Sequence, residues 1–568
     1  MKRLVLIFSI FVVIFGCGKK EESKKVSVEA IVEMGRRSQN KVFILGLDGA
    51  TFNLIVPMLR RGELPNIEKL LREGAYGNLT SIEPMSSPVL WTTIFTGKKR
   101  EVHGITDYTI TVEGETKPIP VGSRQRRVLA LWNMATVGGK TGAFFAFWAT
   151  HPAESVSGFI ISDRYDEEGI ENAFYPPEFE EEVERYISVS DDEIAELTLR
   201  FTDFEYEEDF TDKYKPGTDI FEKNKAVAIL RYHLKRDIAM MRASRYVLKM
   251  YAPDIVSCYI KGTDGVSHIF WKYMDPYTPY ARYDDITGED REHFGGVIEE
   301  YYRFCDEMLG ELMPFLDDYH ILIVSDHGFG PVPDEINYNM KSLLTEMGLA
   351  RYEKGELIEG KSTVYVMQSD WSNRRSLRLN LKGRERGGMV DENDADAVLK
   401  KVCEALRSIK TKSGKLLFVN VENKGVQGGN KAEIEVEFNK DIKGSDTLMI
   451  DGREVGADTV LVSRGISGDH MPNGVIILSG DSIKKCIIGE ANIIDITPTV
   501  LALLGLPVAE DMQGKVLKSI FTEEFLSRCP IETIDTYEGL APKMVSTPQP
   551  LPSDKEKREE LRGLGYIQ

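Results

Sequence analysis

Cysteine is scarce in this 568-residue chain: there are six, widely scattered, and no two form a Cys-x-x-Cys pair. That excludes a dense disulfide framework, although a single bridge stays open in an exported protein. Positive charge is in deficit. A net charge of −19 argues against general affinity for nucleic acid, whose phosphate backbone requires a basic face, so no nucleic-acid polymer is expected as a partner. Internal repeats are lacking. Apolar runs long enough to cross a bilayer are lacking too, because the longest, LVLIFSIFVVIFG near the N-terminus, falls short of about 20 residues. What remains is ordinary for a folded protein. With 42% hydrophobic and 28% charged residues, a chain of this length supports two or three domains with sizeable cores.

The short apolar run has its own meaning. Met1-Lys2-Arg3 precedes it and Gly16-Cys17 ends it, a basic, apolar, small-residue order that fits a signal peptide. Its end, VIFGC, resembles a bacterial lipoprotein signal. The resemblance implies cleavage after residue 16, lipidation of Cys17 and attachment to the cell envelope on the exported side, with a simple secretory signal or short anchor as the alternative. Residues 17–39, charged and poor in aromatics, read as a tether.

The fold begins at KVFILGLDG (41–49), apolar on both faces and ending at Asp48, as a central parallel strand does. APDIVSCYIKGTDG runs into Asp264 in the same way, YHILIVSDHGFG runs into Asp326-His327, and GVIILSG follows His470. Helical periodicity between them predicts an α/β fold: a three-layer α/β/α sandwich with a largely parallel central sheet. The core is expected over 40–330 and 464–530, with an acidic helical elaboration over 160–240. Between 331 and 463, alternating segments such as AEIEVEFNKDI predict an inserted mixed α+β lid. Residues 531–568 read as a Pro-rich linker followed by a short charged helix.

Asp48, Asp264, His268, Asp326, His327 and His470 all stand at the borders of apolar runs. Singly, such an Asp caps a helix and such a His is structural. Collected, they are a carboxylate and imidazole set suited to zinc or a similar divalent ion. One further stretch, MSSPVLWTTIFTG (85–97), offers five hydroxyls in a buried-looking run, and its own residues do not select among them.

The segments LGLDGATF, SSPVLWTTIFTG, HGITDY, KGTDGVSH, VSDHGFG and SGDHMPNG occur in the order found in the alkaline phosphatase superfamily, and most closely resemble its type I phosphodiesterase/nucleotide pyrophosphatase branch. The resemblance covers about 41–526, with little from the insertion. It implies hydrolysis of phosphate esters with two divalent metal ions, zinc or alternatively manganese. One site would use Asp264, His268 and His470. The other would use Asp48, Asp326, His327 and the nucleophile's oxygen. Two such cations can hold the attacking and leaving oxygens of an in-line displacement and activate a hydroxyl without a histidine base.

The nucleophile of that family stands ten residues before a Gly that here is Gly97, which selects Ser87 and leaves Ser86 as the alternative. Sulfatases of the superfamily need Pro at +2 and Arg at +4; from Ser87 these are Val89 and Trp91, and from Ser86 position +4 is Leu90, so sulfate ester chemistry is disfavoured. Two departures stand out: Ser87 replaces the usual Thr, and Tyr108 replaces an asparagine that donates to phosphate. Tyr108 could donate through its hydroxyl or simply pack. His103 reads as structural, and Trp148 and His151 read as packing near a strand, with a substrate-facing loop as the alternative. The basic cluster NRRSLRLNLKGRER reads as a solvated surface or, through Arg378 and Arg384, as a lid contact to an anionic substrate. Alternatives to a hydrolase acting through phospho-Ser87 are a transferase of phospho head groups onto lipid or glycan, a phosphomonoesterase or phosphomutase of the same superfamily, and a non-catalytic binding lipoprotein.

Overall fold

The computed structural model describes residues 26–112, 118–275, 277, 286–332, 337–353, 355–368, 373–429, 431–462, 466–541, 551 and 553–563. The lipidation position, Cys17, lies outside the described residues. Nine strands build the central sheet: β1 (Lys41–Leu47), β2 (Ala75–Thr80), β3 (Gly142–Phe145), β4 (Gly158–Ile161), β5 (Phe174–Tyr175), β6 (Ile255–Ile260), β7 (Tyr319–Val324), β8 (Asn473–Ser479) and β9 (Cys486–Ile487). Their spatial order is β9-β2-β8-β7-β1-β6-β3-β4-β5. β1 pairs in parallel with β6 and β7, and β3 with β6 and β4; β8 runs antiparallel to both β7 and β2. The sheet is thus mostly parallel.

Alternation along β1 sends Phe43 and Leu45 into one apolar core and Val42 and Ile44 into the other, so both faces are covered. The first core includes Leu230, Leu234 and Val247 of the long helix Asp219–Met250, and the acidic helices Glu178–Ile187 and Asp191–Phe201 also pack there. The second takes the helices Ser87–Thr96 and Ile496–Leu503.

The insertion has a neck. Gly328–Pro331 pairs antiparallel with Gly468–Met471, and Asn337–Tyr338 with Leu461–Val462. Beyond it lie a four-stranded and a three-stranded antiparallel sheet with helices Met340–Glu346 and Ala395–Ser408, closed around a separate apolar core. This is the mixed α+β architecture expected of the lid.

Two boundaries differ from the expectation. Residues 28–35 of the expected tether form a helix whose Ile31 is buried against the second core, with Gly35 packed on Gly138 and Leu506. Residues 531–541 of the expected linker are docked as well: Thr533–Ile534 pairs with Val508–Ala509, and buried Tyr537 donates to the Pro507 carbonyl at 2.8 Å. In each case a few apolar residues inside a polar stretch find a partner distant in sequence. Among the described residues no helix is long and apolar enough to cross a membrane.

Candidate metal centre and nucleophile

β1, β6 and β7 lie side by side and in parallel, so the residues after them meet at one edge of the sheet. Asp48 follows β1, Asp264 lies in the first turn of the helix Gly262–Met274 after β6, and Asp326-His327 follow β7. His470 reaches the same edge by the opposite route. β8 is antiparallel, so a residue before it stands where residues after the parallel strands do. The neck sets its register, placing His470 opposite Phe329. Closing the insertion's neck therefore also brings His470 onto His327, their rings stacked 3.6 Å apart.

Asp264 Oδ1 is the hub. It lies 3.2 Å from His268 Nε2, 3.1 Å from His470 Nε2 and 3.8 Å from His327 Nε2. A second group forms where His327 Nε2 faces Asp48 Oδ1 at 3.2 Å and Asp326 Oδ2 at 3.7 Å. Asp48, Asp264, Asp326 and His327 are all essentially unexposed.

The hydrogen bonds on the far side of each ring settle what these contacts mean. His268, His327 and His470 each turn Nδ1 toward a backbone carbonyl: Gly468 at 2.8 Å, Gly328 at 2.9 Å and Met85 at 2.7 Å. A carbonyl only accepts, so Nδ1 carries the proton and, in the neutral ring, Nε2 presents a lone pair. Three lone pairs thus converge on carboxylate oxygens, and Asp48 Oδ1, Asp326 Oδ2 and His327 Nε2 have no hydrogen-bond partner. Lone pairs this close are repulsive unless a cation lies among them, and carbonyl-oriented imidazoles are the usual outer support of metal ligands. The donor set fits divalent cations.

The same crowding governs the carboxyls. Burial opposes charge on Asp264, while His268 and His470 in their protonated forms hold its carboxyl well below the usual range. Burial, then the neighbouring Asp48 charge, push Asp326 well above it. Gly49 turns beneath the cluster with φ +67°, where a Cβ would lie 2.9 Å from the Phe329 ring and 3.3 Å from the His327 ring.

Ser87 is the first residue of its helix and is buried. The helix is tied to both ligand groups: the Met85 carbonyl accepts from His470, and Trp91 donates Nε1 to Asp48 Oδ2 at 3.4 Å. Ser87 and Trp91 are four residues apart on one helical face, so the face that meets Asp48 carries Ser87. The equivalent position from Ser86 is Leu90, which is packed in the apolar core. Thr92, Thr93 and Thr96 spend their hydroxyls on backbone carbonyls one turn earlier. Tyr108 OH lies 3.3 Å from both Ser87 Oγ and Ser87 N. Burial, with Asp264 and Asp48 beyond it, raises the Tyr108 phenol well above its ordinary range, so it stays a donor.

Tyr259 and Asp469 escaped the sequence reading, and Trp148 takes a more definite place than it had there. Tyr259 OH donates to Asp48 Oδ2 while accepting from Trp148 Nε1 at 2.7 Å, which turns the other oxygen of Asp48 toward His327. Trp148, read as packing, also meets Tyr108 edge-on at 5.3 Å and so touches the wall of the site. Asp469 joins His268 and His470 in a third possible ligand group. Its adjacency to His470 in SGDH is the signal that could have found it, whereas Tyr259 looks like any aromatic in a buried strand. His103 is structural as expected: burial pulls its pKa down to about 3, and it bridges Thr93 and the Ile105 amide.

Arg378 and Arg384 require correction. Arg378 is 2% exposed and donates to Glu385 Oε1 at 2.9 Å and to the Lys431 carbonyl at 2.7 Å. Arg384 pairs with Glu385 and with fully buried Glu433, and donates to the Leu379 carbonyl. Their guanidiniums are spent inside the insertion, neither on a solvated surface nor on a substrate-facing one. The sequence hid this because Glu433 is brought in by the strand Ile434–Phe438, far along the chain. Arg378→Met should therefore destabilise the insertion by about 3–5 kcal/mol, the cost of breaking a buried pair. Denaturant unfolding would measure it, and KM for a small substrate should not move; a raised KM with unchanged stability would restore the substrate contact.

The sequence profile of the family described as type I phosphodiesterase/nucleotide pyrophosphatase matches residues 42–450. The match runs through most of the insertion, which the motifs had left almost silent, and stops short of His470. Among solved structures, human ectonucleotide pyrophosphatase/phosphodiesterase 5 is similar at 13% identity and TM-score 0.46, over 85% of this chain and 100% of that one. Its murine counterpart, an inactive form in complex with AMP, gives 12% identity and TM-score 0.44 over the same shares. Phosphonoacetate hydrolase from Sinorhizobium meliloti gives 12% and 0.42, over 81% of this chain and 94% of that one. No curated protein matches in sequence. With the profile spanning most of the chain, and a carboxylate and imidazole centre beside a serine-bearing helix, the protein belongs to the type I phosphodiesterase/nucleotide pyrophosphatase family and is a phosphoric ester hydrolase.

Proposed function

We propose that this protein cleaves phosphodiesters through a covalent phospho-Ser87 intermediate, using two divalent cations at the Asp/His centre. The observation that carries the reading is the convergence of three imidazole lone pairs on buried carboxylates, on a centre tied by Met85 and Trp91 to the helix of Ser87. Asp264, His268 and His470 would hold one cation; Asp48, Asp326, His327 and Ser87 Oγ would hold the other. Bound there, the cations supply positive charge for the phosphoryl oxygens and lower the pKa of the Ser87 hydroxyl.

The chain's own groups do the rest. Ser87 Oγ gives up its proton to solvent and bonds to phosphorus as the bond to the leaving oxygen breaks, and that oxygen takes up a proton from solvent to leave as the alcohol. Water then attacks the phosphoserine, and Ser87 Oγ departs and regains a proton. The Tyr108 phenol, which accepts from the Ser87 backbone N–H and lies 3.3 Å from Ser87 Oγ, would donate its own proton to an anionic phosphoryl oxygen. Zinc suits the three imidazoles, and manganese is the alternative. The basic, apolar and Cys17 order at the N-terminus supports action at the envelope surface as a lipid-anchored enzyme.

Metal analysis combined with paired aryl phosphate diester and monoester substrates tests the reading. Two metal ions per chain and a preference for the diester are expected, with turnover lost on chelation and restored by zinc or manganese. Absence of bound metal together with absence of turnover would overturn it, and a monoester preference would move the assignment to a phosphomonoesterase.

A further inference from the structure

The C-terminal helix Asp554–Gly563 reads DKEKREELRG, a sequence that would be a marginal helix alone in water. Nevertheless Asp554, Lys557, Arg558 and Leu561 are all 5% exposed or less. Buried charges require partners, and these have them. Asp554 pairs with Arg164 at 2.8 Å, and Ser553 accepts from the same guanidinium. Lys557 lies 3.5 Å from Glu167 and 2.9 Å from Glu560. Glu560 accepts from Tyr232 at 2.8 Å and lies 3.4 Å from Lys261. Arg558 pairs with Glu356 of the insertion at 2.7 Å and donates to the Pro118 carbonyl at 3.0 Å.

Besides Tyr232 of the long helix Asp219–Met250, these contacts reach four places. The loop of Arg164 and Glu167 belongs to the core. Lys261 immediately precedes the helix that carries Asp264 and His268, and its ammonium lies 4.6 Å from the Trp148 ring, which in turn meets Tyr108. Pro118 belongs to the hairpin Thr109–Thr111/Pro118–Pro120 that starts directly after Tyr108 and also contacts the insertion, where Thr111 Oγ1 donates to the Met367 carbonyl at 3.3 Å. Glu356 lies in the insertion's hairpin Tyr352–Glu353/Glu356–Leu357.

We propose that the C-terminal helix is an intramolecular clasp: through Arg558 and Glu560 it fixes the insertion, the Tyr108 hairpin and Lys261 against the core, completing the substrate side of the site. Arg558 and Glu560 are positioning residues in this account, acting through Glu356, Pro118 and Lys261. Paired charges suit the task. Once desolvated they add little net stability, but they specify one arrangement, and loss of one partner leaves a buried charge that drives the helix off.

The test uses the full chain carrying Arg558→Ala and Glu560→Gln together, with Lys555→Ala as a control on the exposed side of the same helix. Amide hydrogen exchange should accelerate at least tenfold over residues 352–358 and 118–121 while the amides of β1 and β7 keep their protection. KM for an aryl phosphodiester should rise severalfold with kcat near its parent value, and the control should change nothing. Unchanged exchange and KM in the double variant would overturn the clasp. So would acceleration that spreads equally into β1 and β7, which would make the helix part of global stability and not a local fastening. The KM arm rests on the proposed phosphodiesterase reading; the exchange arm does not. An inactive parent protein with the expected exchange pattern would sink that reading and leave the clasp standing.

Discussion

Ser87→Ala is expected to lower turnover of an aryl phosphodiester by roughly 10³-fold or more, because it removes the atom to which phosphorus would bond. Bound metal should fall less than in Asp264→Asn, since only Ser87 Oγ is lost and the Asp and His side chains remain. Residual activity is expected, from water attacking in place of Oγ, because Tyr108 would still donate to the phosphoryl group. Ser86→Ala provides the contrast. The Ser86 side chain makes no capping hydrogen bond and its Oγ has no partner, so its loss should leave both stability and kcat close to the parent. Rapid mixing of the parent with substrate, acid quenching and mass analysis of the peptide containing residues 85–97 should find phosphate on Ser87. Phosphate on Ser86, or a variant ranking with Ser86→Ala the slower, would move the nucleophile by one residue.

That the contrast can be drawn at all shows what the sequence makes legible. Spacing to Gly97 selects Ser87 only through a family resemblance, and the structure adds that Ser87 shares a helical face with Trp91, which bonds Asp48. Asp48, Asp264 and Asp326-His327 are legible because each ends an apolar run, and parallel pairing of those runs brings their ends to one edge. His470 is legible as a motif, but its delivery depends on β8 running antiparallel and on the register of the insertion's neck, both pairings between distant segments. Tyr259 was missed, and Trp148 was read first as packing, for the same reason, since their polar tips matter only once β6, β1 and the loop after β3 are adjacent. Arg378 and Arg384 mislead because charge density along the chain says nothing of where the compensating carboxylates arrive. The helix Val28–Gly35 and the segment 531–541 show the converse: polar stretches with one or two well-placed apolar residues dock if a groove awaits them.

Asp264→Asn is the second large effect, and it separates metal binding from folding. One oxygen, Oδ1, faces the Nε2 atoms of His268, His470 and His327, so neutralising this carboxyl removes the charge common to the whole centre. Changes even in groups behind the ligands typically cost 10–100-fold in affinity or activity, and the loss of a ligand itself should exceed that. Metal content after dialysis is expected to fall to one ion per chain or fewer, and turnover to drop by roughly 10³-fold or more. The amide is nearly the size of the carboxylate it replaces, so the packing of the helix Gly262–Met274 should hold. Chelation then becomes the discriminating measurement. A ligand that binds only the folded state stabilises it by about 2.7 kcal/mol at a hundred times its dissociation constant. Removing metal should therefore lower the unfolding midpoint of the parent and scarcely move that of Asp264→Asn. Equal shifts in both would place the cations elsewhere in the chain. No shift in either, with activity lost in the variant alone, would make Asp264 a catalytic carboxylate in a metal-free site and leave the three converging lone pairs without their cation.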